Sequence, residues 1–182
     1  MKSVFKLYDR YGHADYIGED VSIVDHSRMA AEVASRETDD PIVVAAAFLH
    51  DIGHLVGFML DFPQMDSLGT CDHDRVGARY LRFAGFPQRL CDLVEHHVDA
   101  KRYLVAREPD YFNKLSDASQ ATLSHQGGAM SERECREFEQ HPDSRWFIRF
   151  RQWEEQAKVL RDSKTFDEWK AWIGERVALV VD

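Results

Sequence analysis

The sequence has few cysteines, and their positions exclude the usual cysteine-based frameworks. Cys71, Cys91 and Cys135 are odd in number and show no CxxC spacing. Small disulfide-rich domains and thiolate zinc sites both depend on paired, closely spaced cysteines. We therefore expect neither, and a reducing compartment suits the chain.

Long apolar runs are lacking as well. No segment approaches the roughly 20 apolar residues of a transmembrane helix, and the first residues, Met1 to Phe5, do not begin the apolar stretch of a signal peptide. The expectation is a cytoplasmic protein with no membrane partner.

The chain also lacks an excess of basic residues. Asp and Glu number 32 against 23 Lys and Arg, which gives a net charge of −9. Because nucleic-acid binding requires a basic surface that neutralises phosphates, we expect no nucleic-acid partner. An anionic ligand would have to be held by a local cluster of cations, for which Lys101, Arg102 and Arg151 are candidates.

What the chain has is the composition of one globular domain built from helices. Its 182 residues are 44% hydrophobic and 30% charged, which is enough for a sizeable core. No useful β alternation, internal repeat or low-complexity segment is evident. Helical spacing of apolar residues predicts an all-α fold with main helices near 2–13, 21–38, 41–56, 72–84, 90–97, 131–140, 144–161 and 165–180.

Histidines occupy the buried stripes of four successive predicted helices. A single histidine on an apolar face is more often an ordinary core residue than a ligand. Four of them, with a carboxylate next to one, favour a metal site with nitrogen and oxygen ligands; the residues are His26, His50, Asp51, His73 and His97. Two metals held in this way could activate water for phosphate-ester hydrolysis or bind O₂, and the spacing leaves both open.

Longer motifs narrow the choice. They are Asp15-Tyr-Ile-Gly-Glu19 followed by His26, HDIGH at 50–54, His-His-Val at 96–98 with Ala-Lys-Arg-Tyr-Leu at 100–104, Leu-Ser-Asp-Ala-Ser at 115–119, and Gln-Gly-Gly-Ala-Met-Ser at 126–131. Over residues 8–160 the chain resembles the PhnZ-type oxygenases of the HD superfamily, including the TmpB relatives. The resemblance implies that residues 1–182 form a single HD-domain helical bundle, covered by a C-terminal helix at about 165–180.

The resemblance also implies a chemistry. Enzymes of this family use a mixed-valent pair of iron ions, Fe²⁺/Fe³⁺, with O₂ as co-substrate to cleave the C–P bond of a 1-hydroxyalkylphosphonate. For this chain it implies a non-heme di-iron dioxygenase of organophosphonate catabolism, either a monomer or a homodimer. The expected substrate is 1-hydroxy-2-(amino or trimethylammonio)ethylphosphonate, and the products are glycine or glycine betaine and phosphate.

Residue roles follow from the same resemblance. The metal ligands would be His26, His50, Asp51, His73, His97 and Glu154. Tyr16 and Glu19 match a mobile pair that closes over the substrate and, with His54, would be catalytic as well as substrate-binding. The other positions that match substrate contacts are Lys101, Ser119, Thr122 and Arg151.

The late metal ligand departs from the family pattern. The family motif Arg-x-Trp-Asp-(Asp/Glu)-x-Ala-Lys reads here as residues 151–158, with Glu154 in place of the ligand Asp. Asp117 is a rival fourth ligand, although we expect it to be a solvated residue near a helix start.

Two other functional classes stay open beside the oxygenase. An HD-type metal-dependent phosphohydrolase, either a phosphomonoesterase or a nucleotidase, would use the same scaffold with divalent metal and no O₂. A structural or sensing HD module without turnover is the third. The complete set of metal ligands disfavours that last class.

Overall fold

A computed structural model of the chain describes residues 1–15, 21–157 and 162–179. In these ranges the fold is all-α, as predicted, and the only β pairing is two isolated bridges. The helices are α1 (Lys2–Tyr11), α2 (Ile23–Ser35), α3 (Pro41–Leu49), α4 (Ile52–Leu60), α5 (His73–Phe83), α6 (Gln88–Glu95), α7 (His97–Arg107), α8 (Tyr111–Lys114), α9 (Asp117–His125), α10 (Glu132–Glu139), α11 (Ser144–Gln156) and α12 (Phe166–Arg176).

Several helices begin where the sequence supplies a side-chain cap. Asp40 accepts a hydrogen bond from the backbone N–H of Ile42 at 2.9 Å, and Pro41 follows it at the first helical position. Ser131 forms a capping box at the start of α10, and Thr165 forms a second one at α12. These caps satisfy backbone donors that a helix cannot satisfy itself.

One predicted helix is wrong, because the chain breaks in the middle of the segment 41–56. Helix α3 ends before His50, Asp51 has φ −95° and ψ 10°, and α4 starts at an angle of 41° to α3. The apolar stripe continues across the bend, so periodicity could not reveal it. Among the described helices, none alone has the length and hydrophobicity to cross a bilayer; by those two measures only the bent pair α3–α4 would.

A second break follows the same pattern. The predicted helix carrying Leu90 and His97 is interrupted at His96, which has φ −99° and ψ 7° and separates α6 from α7. Helix α7 then continues to Arg107, ten residues beyond the predicted end of the helix. Both breaks place a histidine at a helix end in the interior of the protein.

Helix α3 is the centre of the core, and residues 43–49 are all buried. It contacts α2, α6, α11 and α12. Phe48 packs against Phe166 and Trp169 of α12, with ring centroids 6.2 and 6.4 Å apart. The C-terminal helix thus packs on the core and ends at Arg176. Val180, near which the sequence placed its end, lies outside the described residues.

Two glycines allow α4 and α5 to cross at close range. A Cβ atom added to Gly53 would lie 1.8 Å from the backbone oxygen of His73, and one added to Gly77 would lie 3.0 Å from the backbone nitrogen of Gly53. Backbones can approach this closely only where side chains are absent. This crossing brings the start of α5 next to Asp51.

Candidate metal centre and active site

The Asp51 side chain lies at the centre of the buried histidines and faces a different pair with each oxygen. Oδ2 is 3.1 Å from His50 Nε2 and 3.8 Å from His26 Nε2. Oδ1 is 3.5 Å from His73 Nε2 and 3.8 Å from His97 Nε2. All five residues have at most 6% of their surface exposed. The structure therefore brings together five of the six predicted metal ligands, with the carboxylate between two histidine pairs.

Backbone hydrogen bonds fix the orientation of two of these rings. His50 Nδ1–H donates to the carbonyl of Ala47 at 2.9 Å, and His97 Nδ1–H donates to the carbonyl of Val94 at 2.7 Å. Because a carbonyl can only accept, Nδ1 carries the proton, and Nε2 of the neutral ring presents its lone pair to the site. A backbone partner of this kind is typical of metal-bound histidine.

Within each histidine pair, the two Nε2 atoms lie close together, as they do when both bind one metal ion. His26 Nε2 lies 3.2 Å from His50 Nε2, and His73 Nε2 lies 3.0 Å from His97 Nε2. Two lone pairs at this distance repel unless a proton or a metal ion lies between them. Among the described residues, Asp51 Oδ2 is also buried without a hydrogen bond. The nitrogen and oxygen donors therefore fit two cations better than they fit a hydrogen-bonded core.

The pKa values of His50 and Asp51 reflect the same geometry. Burial disfavours the charged form of His50, but the Asp51 carboxylate outweighs it and raises the pKa of the ring to about 8. Burial likewise opposes the charge of Asp51, but the surrounding histidines, with His50 first, hold the pKa of its carboxyl well below the usual range. A metal ion bound beside Asp51 would take the place of the proton on His50.

Glu154 approaches the first histidine pair from α11. Its carboxylate, His26 and His50 each offer one ligand atom within 4.8 Å of the other two. Oε1 accepts a hydrogen bond from Arg151, whereas Oε2 is buried and has no hydrogen bond in the described part of the chain. Burial opposes its charge, yet Arg151 lowers the pKa of Glu154 to about 2. Asp117 is exposed in the first turn of α9.

His54 lies beside the second pair but has a different tautomer. Its Nδ1 accepts a hydrogen bond from the backbone N–H of Thr70 at 3.0 Å, so the neutral ring carries its proton on Nε2, 4.0 Å from Asp51 Oδ1. Burial is the main cause that lowers the pKa of His54 to about 4. The ring stacks on His73 with centroids 4.0 Å apart. Although its position would also suit a metal ligand, the proton makes Nε2 a donor.

A cleft opens above the metal-ligand cluster, and one wall of it is cationic. Lys101, which is 3% exposed, donates from Nζ to Thr122 Oγ1 at 3.0 Å and to the carbonyl of Ser119 at 3.3 Å. Ser119 and Thr122 lie on one face of α9. Of the predicted substrate-binding residues, His54, Lys101, Ser119, Thr122 and Arg151 line this cleft together with Asp51, His73, His97 and Glu154.

Arg102, the third predicted cation, lies elsewhere. Arg102 does not join the cation cluster; it turns away from the cleft and contacts Glu134 at 2.7 Å and the carbonyl of Gly128 at 3.0 Å. Tyr16 and Glu19 lie outside the described residues.

Sequence reasoning missed three residues that support the site. Thr70 orients His54, while Tyr111 and Glu155 surround Arg151. Thr70 and Tyr111 come from segments with no periodic signal. Only the contact between Glu155 and Arg151 could have been expected from the sequence, because the two residues are one turn apart on a predicted helix.

Comparison with known proteins agrees with this geometry. The HD domain family profile matches residues 23–164. The [1-hydroxy-2-(trimethylamino)ethyl]phosphonate dioxygenase (glycine-betaine-forming) of Leisingera caerulea is 38% identical over 163 residues, which cover 90% of this chain and 82% of that protein. The hydroxymethylphosphonate dioxygenase of Gimesia maris is 36% identical over 157 residues, or 86% and 77% of the two chains.

An uncharacterized protein of Acanthamoeba polyphaga mimivirus is 37% identical over 163 residues, which cover 90% of this chain and 74% of the viral protein. The three alignments and the family profile cover the segments that contribute the histidine pairs and Asp51. The chain therefore belongs to the HD-domain family, in the PhnZ-type group that the sequence motifs indicated.

Proposed function

We propose that this chain is an O₂-dependent enzyme that cleaves the C–P bond of a small 1-hydroxy-2-(amino or trimethylammonio)ethylphosphonate. The observation that carries the proposal is the buried Asp51 carboxylate between two facing histidine pairs, directly below a cleft that contains a buried lysine. The phosphonate dioxygenases of Leisingera caerulea and Gimesia maris, to which the chain is similar, support the same class of reaction. In this proposal residues 1–182 act as one domain.

The proposed cofactor is a pair of iron ions in the Fe²⁺/Fe³⁺ state. His26, His50 and Glu154 would hold the first, His73 and His97 the second, and Asp51 would contribute one oxygen to each. When bound, the pair would supply O₂ binding and the one-electron steps that oxidation of a C–H bond requires. Histidine and carboxylate ligands without thiolate suit iron.

The cleft wall suits a phosphonate group. The Lys101 ammonium can donate charge-assisted hydrogen bonds to a phosphonate oxygen, and the hydroxyls of Ser119 and Thr122 lie on the same wall. Because Lys101 is buried, its charge interacts more strongly with an anion there than it would at the surface. These groups would orient the substrate with its phosphorus end toward α9 and its 1-hydroxyl toward Asp51.

His54 carries a hydrogen on Nε2 that can be donated to the substrate. Its Nε2–H points into the space between Asp51 and the cleft, where it can donate to an oxygen of the substrate. We assign to Tyr16 and Glu19 the closure of this space around the amino end of the substrate, as their match to the family's mobile pair implies.

The reaction balances without a further reductant. A 1-hydroxyalkylphosphonate and O₂ give a carboxylate, hydrogen phosphate and a proton; the C–P bond and one C–H bond break, and O₂ supplies the two oxygen atoms that the products gain. Water is not consumed. A phosphohydrolase on the same scaffold would consume water and no O₂.

Phosphate release with and without O₂ tests the proposal. Iron-loaded protein is incubated in air or under argon with 1-hydroxy-2-aminoethylphosphonate, with its trimethylammonio analogue, and with a phosphomonoester. We expect phosphate from at least one phosphonate in air and none under argon. Equal release under argon, or release from the phosphomonoester alone, would support the hydrolase instead.

A further inference from the structure

Each of the three nitrogens of the Arg151 guanidinium contacts another protein group. Its Nη1 donates to Glu154 Oε1, its Nη2 lies 3.3 Å from Ser119 Oγ, and its Nε lies 3.2 Å from Glu155 Oε1. The residue is only 3% exposed. Each of its nitrogens therefore has a protein acceptor, and two carboxylates balance its charge. An arginine with these partners can hold the neighbouring Glu154 carboxylate in a fixed position.

Tyr111 and Glu155 complete the shell around Arg151. The Tyr111 hydroxyl donates to Glu155 and lies 3.4 Å from Arg151 Nε. Tyr111 is 4% exposed, and its ring is packed in a small apolar cluster with Leu104 and Leu115. Apolar packing thus fixes the Tyr111 ring, and Glu155 and Arg151 fix its hydroxyl.

The two oxygens of Glu154 have different surroundings as a result. Oε1 is bound by Arg151, and Oε2, which has no hydrogen bond in the described structure, is the oxygen left for a cation beside His26 and His50. A glutamate has one more rotatable bond than the aspartate of the family motif, so more side-chain freedom must be lost before it can bind metal. A rigid partner on Oε1 removes that freedom in advance.

We propose that Arg151, Tyr111 and Glu155 form a clamp that fixes the Glu154 carboxylate for the first metal, so that Tyr111 and Glu155 are positioning residues for a metal ligand. The clamp explains how glutamate serves where the family motif has aspartate. It rests on the proposed metal site, and it gives Arg151, which also lines the cleft, a role in supporting Glu154.

Metal affinity tests the clamp independently of turnover. The full-length apo-protein is titrated anaerobically with Fe²⁺, comparing wild type with Tyr111→Phe and Glu155→Gln. Loss of an outer partner of a metal ligand weakens binding by about tenfold or more, so we expect that change for one of the two iron equivalents in both variants. The KM for substrate should change less than the affinity for iron.

Matched controls come from the tyrosine–glutamate pair on α7 and α10. The Tyr103 hydroxyl donates to Glu139 at 3.0 Å in an exposed position. Tyr103→Phe and Glu139→Gln repeat the same chemical changes away from the site and should leave iron affinity unchanged. Thermal melting of each variant checks its folding, and Glu155→Gln carries the test if Tyr111→Phe unfolds.

Wild-type iron affinity in both Tyr111→Phe and Glu155→Gln would overturn the clamp, as would a wild-type protein that binds no iron. A raised KM with normal iron affinity in both variants would likewise contradict the clamp and would assign Tyr111 and Glu155 to substrate binding. A wild type that binds two irons but releases no phosphate would contradict the proposed function alone, and the affinity comparison would still decide the clamp.

Discussion

At the scale of single residues, two carboxylates were candidates for the place beside His26 and His50, and the structure separates them. Glu154 is buried with one oxygen near both rings, whereas Asp117 is exposed on α9. We predict that Glu154→Gln, which keeps the shape of the side chain, lowers the affinity for one of the two iron equivalents by at least about tenfold.

Metal analysis of the purified variant checks this prediction, and Asp117→Asn is its control. Asp117→Asn should retain both iron equivalents. The opposite pattern, with iron lost in Asp117→Asn and kept in Glu154→Gln, would make Asp117 the ligand.

Lys101 has a separate test, because its role concerns substrate rather than metal. We predict that Lys101→Met raises the KM for the phosphonate by about 10- to 100-fold and leaves iron content unchanged, since a hydrogen bond to a charged group contributes about 1.5–3 kcal/mol. Steady-state kinetics measure the KM. Lys114→Met, at an exposed lysine, is the control, and an unchanged KM in Lys101→Met would remove Lys101 from substrate binding.

His54 is expected to act through its Nε2–H. In His54→Asn the amide oxygen can still accept the hydrogen bond from Thr70, but the hydrogen toward the substrate is lost. Loss of one well-placed donor lowers kcat by about 100-fold. Rapid-mix kinetics check the rate, and metal analysis should show both irons; loss of an iron equivalent would instead make His54 a ligand.

Sequence reasoning identified the residues of the site but not the protonation states of its histidines. Helical spacing placed His26, His50, His73 and His97 on buried faces, because burial follows from amphipathic periodicity. It could not show which ring nitrogen carries the proton, since that depends on backbone carbonyls such as that of Ala47 and on the N–H of Thr70. Those partners become neighbours only through the fold.

At the scale of helices, the two breaks beside His50 and His97 determine the site. Each break lies where a histidine ring takes the carbonyl three residues earlier as a hydrogen-bond partner, at Ala47 and at Val94. Because most of α3 and the first six residues of α4 are buried, their apolar residues form one continuous pattern in the sequence. The pattern predicted the presence of helix correctly and concealed the bend that directs Asp51 inward.

The crossing of α4 and α5 gives a prediction at the same scale. Gly53→Ala would place a Cβ 1.8 Å from the backbone oxygen of His73 and force the two helices apart. We expect a loss of stability of about 1–3 kcal/mol, with weaker binding of the second iron equivalent because His73 moves. Thermal melting and iron titration measure the two effects.

Gly174→Ala is a matched control for this variant. Gly174 is an exposed helical residue whose nearest foreign atom to an added Cβ is 3.7 Å away. Alanine there should stabilise the helix by about 0.5–1 kcal/mol. A Gly53→Ala protein that melts like the wild type would show that the close crossing is not required.

At the scale of the whole molecule, the site collects groups from helices far apart in sequence around one buried carboxylate. The first histidine pair comes from α2 and the α3–α4 break, the second from α5 and α7, and Glu154 from α11. The all-α fold and the family followed from the sequence, because motif and periodicity are both local. The arrangement of the cleft wall from α7, α9 and α11 did not, because it depends on long-range packing.

The stoichiometry of O₂ consumption tests the central claim most directly. An oxygen electrode and a phosphate assay follow the same reaction of the iron-loaded protein with the hydroxylated aminoethylphosphonates. The account predicts that one O₂ disappears for each phosphate released, with glycine or glycine betaine as the other product. Phosphate released without O₂ consumption would contradict it.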